Sequence, residues 1–142
     1  MQINAPHTID LHCHSSFSDG SLPVEQLIEH FKAHGVTDMA ITDHDSVGAH
    51  YRVAELKKSQ PELFNQLNVI GGIEISTQFN NREIHIVGLG IDVYHDGLVE
   101  FVEQQQSARR QRLSEYAAKL EGLGCRGVTD AVNSLSAESV TR

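Results

Sequence analysis

Apolar and polar residues alternate at the start of the chain and then take a helical period. Thr8-Ile9-Asp10-Leu11-His12 has the period of two of a β-strand, with Ile9 and Leu11 on one face and Asp10 and His12 on the other. A polar turn from Ser15 to Gly20 leads to Val24, Leu27, Ile28 and Phe31, the i, i+3, i+4, i+7 stripe of a helix. Pro23 suits the first turn of that helix and Gly35 its end. Val36 to Thr42 reads as a short buried strand around Met39, Ala40 and Ile41. A second helix is expected from about Val47 to Ser59, with Pro61 just past it. Asn68 to Ser76 reads as another buried strand, carrying Val69, Ile70, Ile73 and Ile75, with Glu74 inside the apolar run. Asn80-Asn81 marks a turn, and Ile84 to Ile91 reads as a further strand with His85 near its start. The order strand, helix, strand, helix, strand, strand predicts an α/β domain with a mainly parallel sheet.

The character changes after about Asp96. Leu98 to Leu123 predicts one long helix or a helical hairpin. Leu98, Phe101 and Val102 begin an apolar stripe, and Leu113, Tyr116, Ala117 and Leu120 resume it. Gln105 and Arg109 interrupt it, which is read either as a bend or as a polar group aimed at a site. A short helix is expected near Asp130 to Leu135.

Composition narrows the picture. With 39% hydrophobic and 21% charged residues, the 142-residue chain can build a packed core. No apolar run approaches the roughly 18 residues of a membrane span. Met1 to Pro6 lacks the basic and apolar parts of a secretion signal, so a cytoplasmic protein is expected. Cys13 and Cys125 make neither a disulfide framework nor a zinc ribbon. The net charge of −8 argues against a basic nucleic-acid coat, but not against an anionic substrate held by metal ions.

Nine histidines are many for this length, so their placement matters. His12 and His14 sit two apart at a strand end, so both imidazoles can reach one ion. Asp19 follows in the turn. Asp43-His44-Asp45 closes the second strand, Glu74 interrupts the third, and His85 lies on the fourth. Each has an ordinary alternative. A single histidine can be a hydrogen-bonded core residue, Asp43 or Asp45 can cap the next helix, and Glu74 can be half of a buried ion pair. Cys13 reads as an apolar filler, because its neighbours use the other face. His7, His30, His34, His50 and His95 read as surface or packing residues. Four successive strands each delivering a ligand-type residue near an end favours a common site at the carboxyl edge of the sheet.

These segments together resemble the PHP (polymerase and histidinol phosphatase) family. They are Asp10-Leu11-His12-Cys13-His14-Ser15, Ser18-Asp19-Gly20, Ile41-Thr42-Asp43-His44-Asp45, Gly72-Ile73-Glu74-Ile75-Ser76 and His85 through Ile91. The branch they resemble most comprises nucleoside 3′,5′-bisphosphate phosphatases that also act as 5′-to-3′ exoribonucleases. The resemblance implies the N-terminal part of a distorted, seven-stranded, TIM-like β/α barrel, with residues 1–96 in the phosphoesterase domain and 97–142 beginning a helical insertion. It implies up to three divalent ions, held by His12, His14 and Glu74, by Glu74 and His85, and by Asp19 and His44. Asp10, Asp43 and Asp45 are expected to orient histidines. The mixed nitrogen and oxygen donors suit Mn²⁺ best, with Zn²⁺ or Fe²⁺ as alternatives. A metal-activated water would serve as nucleophile, with no covalent enzyme intermediate.

Three divalent ions bring about +6, which two carboxylates offset only in part, so the site draws phosphate without a basic surface. The expected substrates are nucleoside 3′,5′-bisphosphates and the 5′ ends of short RNA, with no membrane and no stable protein partner. Arg109 is a candidate substrate contact, or else part of a solvated helix face with Arg110 and Arg112. Two other readings are a histidinol-phosphatase-like monoesterase and a non-catalytic metal-binding domain. The family's later ligands, which the resemblance places after the insertion, have no counterpart here, since no histidine follows His95. The chain is therefore expected to be an N-terminal piece of a protein about twice as long.

Overall fold

The computed structural model describes residues 7–134. A four-stranded sheet has the order β1-β2-β3-β4, with β1 at Ile9–Cys13, β2 at Asp38–Ile41, β3 at Asn68–Phe79 and β4 at Arg82–Leu89. The first three strands run parallel, joined by α1 (Val24–Ala33) and α2 (Gly48–Ser59). Their order is the one the hydrophobic pattern predicts. The stripe of α1 is buried at Val24, Leu27, Ile28 and Phe31, and packs with Met39 and Ile41 of β2 and with Ala49, Val53 and Leu56 of α2. A glycine at φ +73°, Gly35, turns the chain from α1 toward β2, a conformation that a side chain would oppose.

The fourth strand departs from the parallel scheme. Asn80 and Asn81 both take positive φ, +50° and +59°, as a two-residue hairpin requires. β4 therefore returns antiparallel along β3, which extends to Phe79 rather than ending at Ser76. The expected hairpin alternative for the C-terminal region does not occur: α3 is one continuous helix, Asp96–Gly122, capped at its start by the His95 ring accepting from Gly97 N. Its first turns contribute Val102 to a smaller cluster with Val47, Ile73 and Val93. α4 spans Val128–Ser134; Leu135, part of the expected last helix, lies outside the described residues.

Register decides where the polar residues fall. β2 ends at Ile41 opposite Gly71, while β3 runs on, and a single bridge pairs His44 with Glu74. Glu74 is thus level with the loop leaving β2 and not inside a three-strand layer. Ser76 faces His85 across the hairpin, and Glu74 lies two residues along the same face, within reach of His85 as a diagonal neighbour.

Candidate metal centre

The end of β1, the loops after β1 and β2 and the first half of β4 converge on one carboxylate in the middle of β3. Glu74 is 5% exposed. His12 Nε2 and His14 Nε2 each lie 2.8 Å from Glu74 Oε2, and His85 Nδ1 lies 2.5 Å from Oε1. Across the site His14 Nδ1 is 2.5 Å from Asp19 Oδ1, and His44 Nε2 is 3.6 Å from Asp19 Oδ2. The rings of His14 and His44 meet edge to face at 4.5 Å, and those of His44 and His85 at 4.8 Å. Among the described residues these donors form three overlapping triads: His12, His14 and Glu74; His14, Asp19 and His44; and His44, Glu74 and His85. Within each triad the ligand atoms lie within 4.8 Å of one another. All six residues singled out as ligands in the sequence are brought together.

The charges are set by this packing. Burial would push the Glu74 carboxyl up, but hydrogen bonds from His12 and His85 and the neighbouring His44 bring it down to about 2. Asp19 is opposed by burial in the same way and is held below its ordinary range by the His14 hydrogen bond. His44 is lowered by burial first, with the His14 and His85 rings adding to it against the pull of Glu74 and Asp19. A neutral imidazole beside ionised carboxylates is the protonation state that metal ligation needs.

The residues fit divalent ions on a further ground. His44 Nδ1 is buried and has no hydrogen-bond partner. Leaving such a nitrogen unpaired costs about 1–3 kcal/mol, a cost that ligation would remove. Glu74 Oε2 lies 3.9 Å from that nitrogen. The donor set of imidazole nitrogens and carboxylate oxygens suits borderline and hard cations alike.

The supporting aspartates have other partners than the histidine rings they were expected to orient. Asp43 accepts from Ser15 N at 2.7 Å, Ser15 Oγ at 2.6 Å and Ser18 Oγ at 2.5 Å, and so fastens the turn that carries Asp19. Asp10 accepts from the backbone N–H of His12 at 3.2 Å. Asp45 accepts from Ser76 N at 2.9 Å and pairs with Arg109. Arg109, read in the sequence as a substrate contact or a solvated residue, spends its guanidinium on Asp45 and on Ser76 Oγ. Cys13 packs against the core, its Sγ donating to Ala40 O at 3.2 Å, and burial with the Asp10 and Asp43 charges pushes its thiol up to about 12.

Three features take a supporting role that the sequence reading, which had Ser15 to Gly20 as a turn and His50 as a surface or packing residue, did not assign. Ser15 and Ser18 are buried and hold Asp43; their spacing in a short polar turn was the available signal. His50 is 6% exposed, and its Nε2 lies 3.0 Å from Ile41 O and 2.9 Å from Gly72 O, bridging the ends of adjacent strands. Gly20 closes the turn, its N–H donating to Ser15 O.

A mainly parallel sheet with imidazole and carboxylate donors gathered where β1 and β2 end, against β3 and β4, defines an α/β domain equipped to hold divalent metal. The particular family follows from comparison: the PHP domain model matches residues 10–131, and the chain belongs to the PHP family. It is 40% identical over 127 residues to the 5′-3′ exoribonuclease Rnm of Escherichia coli, covering 89% of this chain and 42% of that protein. It is 34% identical over 124 residues to a 3′,5′-nucleoside bisphosphate phosphatase of Chromobacterium violaceum, covering 86% of this chain and 41% of the relative. Among solved structures, an amidohydrolase from Chromobacterium violaceum with bound sulfate and no metal superposes with a TM-score of 0.71 at 32% identity, covering 86% of this chain and 41% of that one. A metal-dependent phosphoesterase assignment accompanies a second fold neighbour, from Bifidobacterium adolescentis, with a TM-score of 0.69 at 23% identity; it covers 83% of this chain and 40% of that one. The chain thus spans less than half the length of these relatives.

Proposed function

We propose that the protein carrying this chain is a metal-dependent phosphoesterase that acts on nucleoside 3′,5′-bisphosphates and on the 5′ ends of short RNA. The observation that carries the reading is the convergence of His12, His14 and His85 on the buried carboxylate of Glu74, beside the unpartnered ring nitrogen of His44. The names of the relatives, an exoribonuclease and a bisphosphate phosphatase, support the substrate class. Up to three divalent ions, Mn²⁺ preferred, would be held by the three triads, with His14, His44 and Glu74 each shared between two of them. When bound, such ions acidify water and stabilise the charge on phosphate and leaving oxygens.

The chain's own residues prepare the site for this. Glu74 and Asp19 stay ionised and offset part of the ions' charge. Burial disfavours the charged form of His44, and its buried Nδ1 has no hydrogen-bond partner. Asp43 fixes the turn that delivers Asp19. In this reading residues 1–96 belong to a seven-stranded barrel, residues 97–142 begin a helical insertion, and the protein works in the cytoplasm. Among the described residues no helix is long and apolar enough to cross a membrane.

Phosphate release in Mn²⁺ from a nucleoside 3′,5′-bisphosphate, a 5′-phosphorylated oligoribonucleotide and histidinol phosphate tests the proposal. The first two are expected to be hydrolysed in preference to the third. Preference for histidinol phosphate would transfer the assignment to that monoesterase class. Release from none of them would contradict the phosphoesterase reading.

A further inference from the structure

Asp45 is an unusual residue to find one position from a metal-ligand candidate. It is 1% exposed, it takes φ +46°, and it carries a carboxyl group. A non-glycine residue in the left-handed region is uncommon, and a buried carboxylate needs a partner. Its surroundings supply both constraints. Arg109 of α3, only 14% exposed at its side chain, donates from Nε at 3.0 Å and from Nη2 to Asp45 Oδ2. Ser76 N donates to Oδ1 at 2.9 Å, and Gln106 Nε2 donates to the Asp45 carbonyl at 3.3 Å. The same Arg109 Nη2 reaches Ser76 Oγ at 2.9 Å. One arginine therefore joins α3 to the loop after β2 and to β3 together.

The backbone at this junction belongs to the candidate centre. Asp45 N donates to Glu74 O at 2.9 Å, and Glu74 N donates to Asp43 O at 3.2 Å. These two bonds frame His44 and set it against Glu74, two of the three residues, with His14, that the triads share. Among the described residues strand pairing here is limited to the one bridge of His44 with Glu74, and the side-chain bonds of Asp45 and Arg109 supplement it.

We infer that Arg109 is a positioning residue for the metal centre, acting through Asp45 to hold His44 and Glu74 in register. The inference rests on the reading of the triads as metal ligands, and adds to it a dependence on a helix that contributes no ligand. It also accounts for the polar interruption in the apolar stripe of α3: position 109 is occupied by the partner of a buried acid. The interaction transmits position, not charge, to the ions. Loss of Arg109 leaves Asp45 buried without its cation and frees the loop from its left-handed turn. The expected consequence is weaker metal binding at the triads containing His44, of the order seen when residues supporting metal ligands are removed, about ten-fold or more.

The test is a calorimetric titration of Mn²⁺ into the full-length protein carrying Arg109→Ala, Arg109→Lys, Asp45→Asn and the Arg109→Ala/Asp45→Asn pair, with Arg112→Ala as control. Each is measured well below its melting temperature, with circular dichroism confirming the fold. Mn²⁺ affinity is expected to fall about ten-fold in Arg109→Ala. Partial rescue is expected in Arg109→Lys, which keeps the charge but loses the fork to Ser76. In the pair the losses are expected to be markedly less than additive, because both changes break one interaction. Arg112→Ala is expected to leave affinity unchanged. A folded Arg109→Ala or Arg109→Lys protein with unaltered Mn²⁺ affinity would overturn the inference, as would additive losses. Failure of the unsubstituted protein to bind divalent ions would instead remove the reading of the triads as ligands, and this inference with it.

Discussion

Glu74 shows how a single residue turns an apolar strand into a site. Its neighbours Ile73 and Ile75 serve the core, and an unpaired charge among them would be costly. Three imidazoles make the charge affordable, and hold the carboxyl near 2 against an ordinary value of 4.5. A carboxyl depressed on folding stabilises the folded state in full above its unfolded pKa, and that contribution is lost as pH falls through the folded value. In metal-free protein, stability from Glu74 is therefore expected to be complete above about pH 5 and to drain away toward about pH 2. Glu74→Gln is expected to flatten that part of the profile, read by denaturant unfolding across the range; an identical slope in both proteins would contradict it. The residue was legible in the sequence because a lone acid in an apolar run is conspicuous. Asp43 and Asp45 were visible as site residues, but their partners Ser15, Ser18 and Arg109 were not. Those partners are 25 to 64 positions away in sequence, and nothing local announces such a pairing.

At the scale of elements, the strands and helices followed from periodicity; Asn80-Asn81 was read as a turn, while the direction of β4 was not read. The expectation of a mainly parallel sheet holds for three strands and yields at Asn80-Asn81, whose paired positive φ values leave room only for a hairpin. The turn between β1 and α1 is the element on which Asp19 depends. A Cβ on Gly20 would lie 2.2 Å from the backbone oxygen of His14, a contact that cannot form without moving the chain. Gly20→Ala is therefore expected to shift the turn that Asp43 fastens, and to weaken Mn²⁺ binding at the triad of His14, Asp19 and His44 by about ten-fold. Titration of the folded variant checks this, and wild-type affinity would show that the turn adjusts without consequence. The long helix α3 was legible as a helix. Its role was not, because an arginine in an apolar stripe reads equally as surface, kink or ligand until its partner is known.

At the scale of the whole molecule, the donors gather where the parallel strands β1 and β2 end, level with the middle of β3 and the first half of the antiparallel β4. That placement was the most legible feature of the chain, since strand order and ligand order coincide from His12 to His85. The outer side of β4 is a different matter. Ile84 and Ile86 on one face of β4, and Val87 and Leu89 on the other, are 38–54% exposed at the edge of the described sheet. A period-two pattern cannot state what covers such an edge. The central claim is that the gathered histidines and acids are metal ligands organised around Glu74. It is tested most directly by the Mn²⁺ stoichiometry of the protein carrying this chain, measured beside Glu74→Gln. The account predicts more than one ion per chain, and loss of that binding when the shared carboxylate is neutralised. No bound ion, or the same stoichiometry and affinity in both proteins, would contradict it.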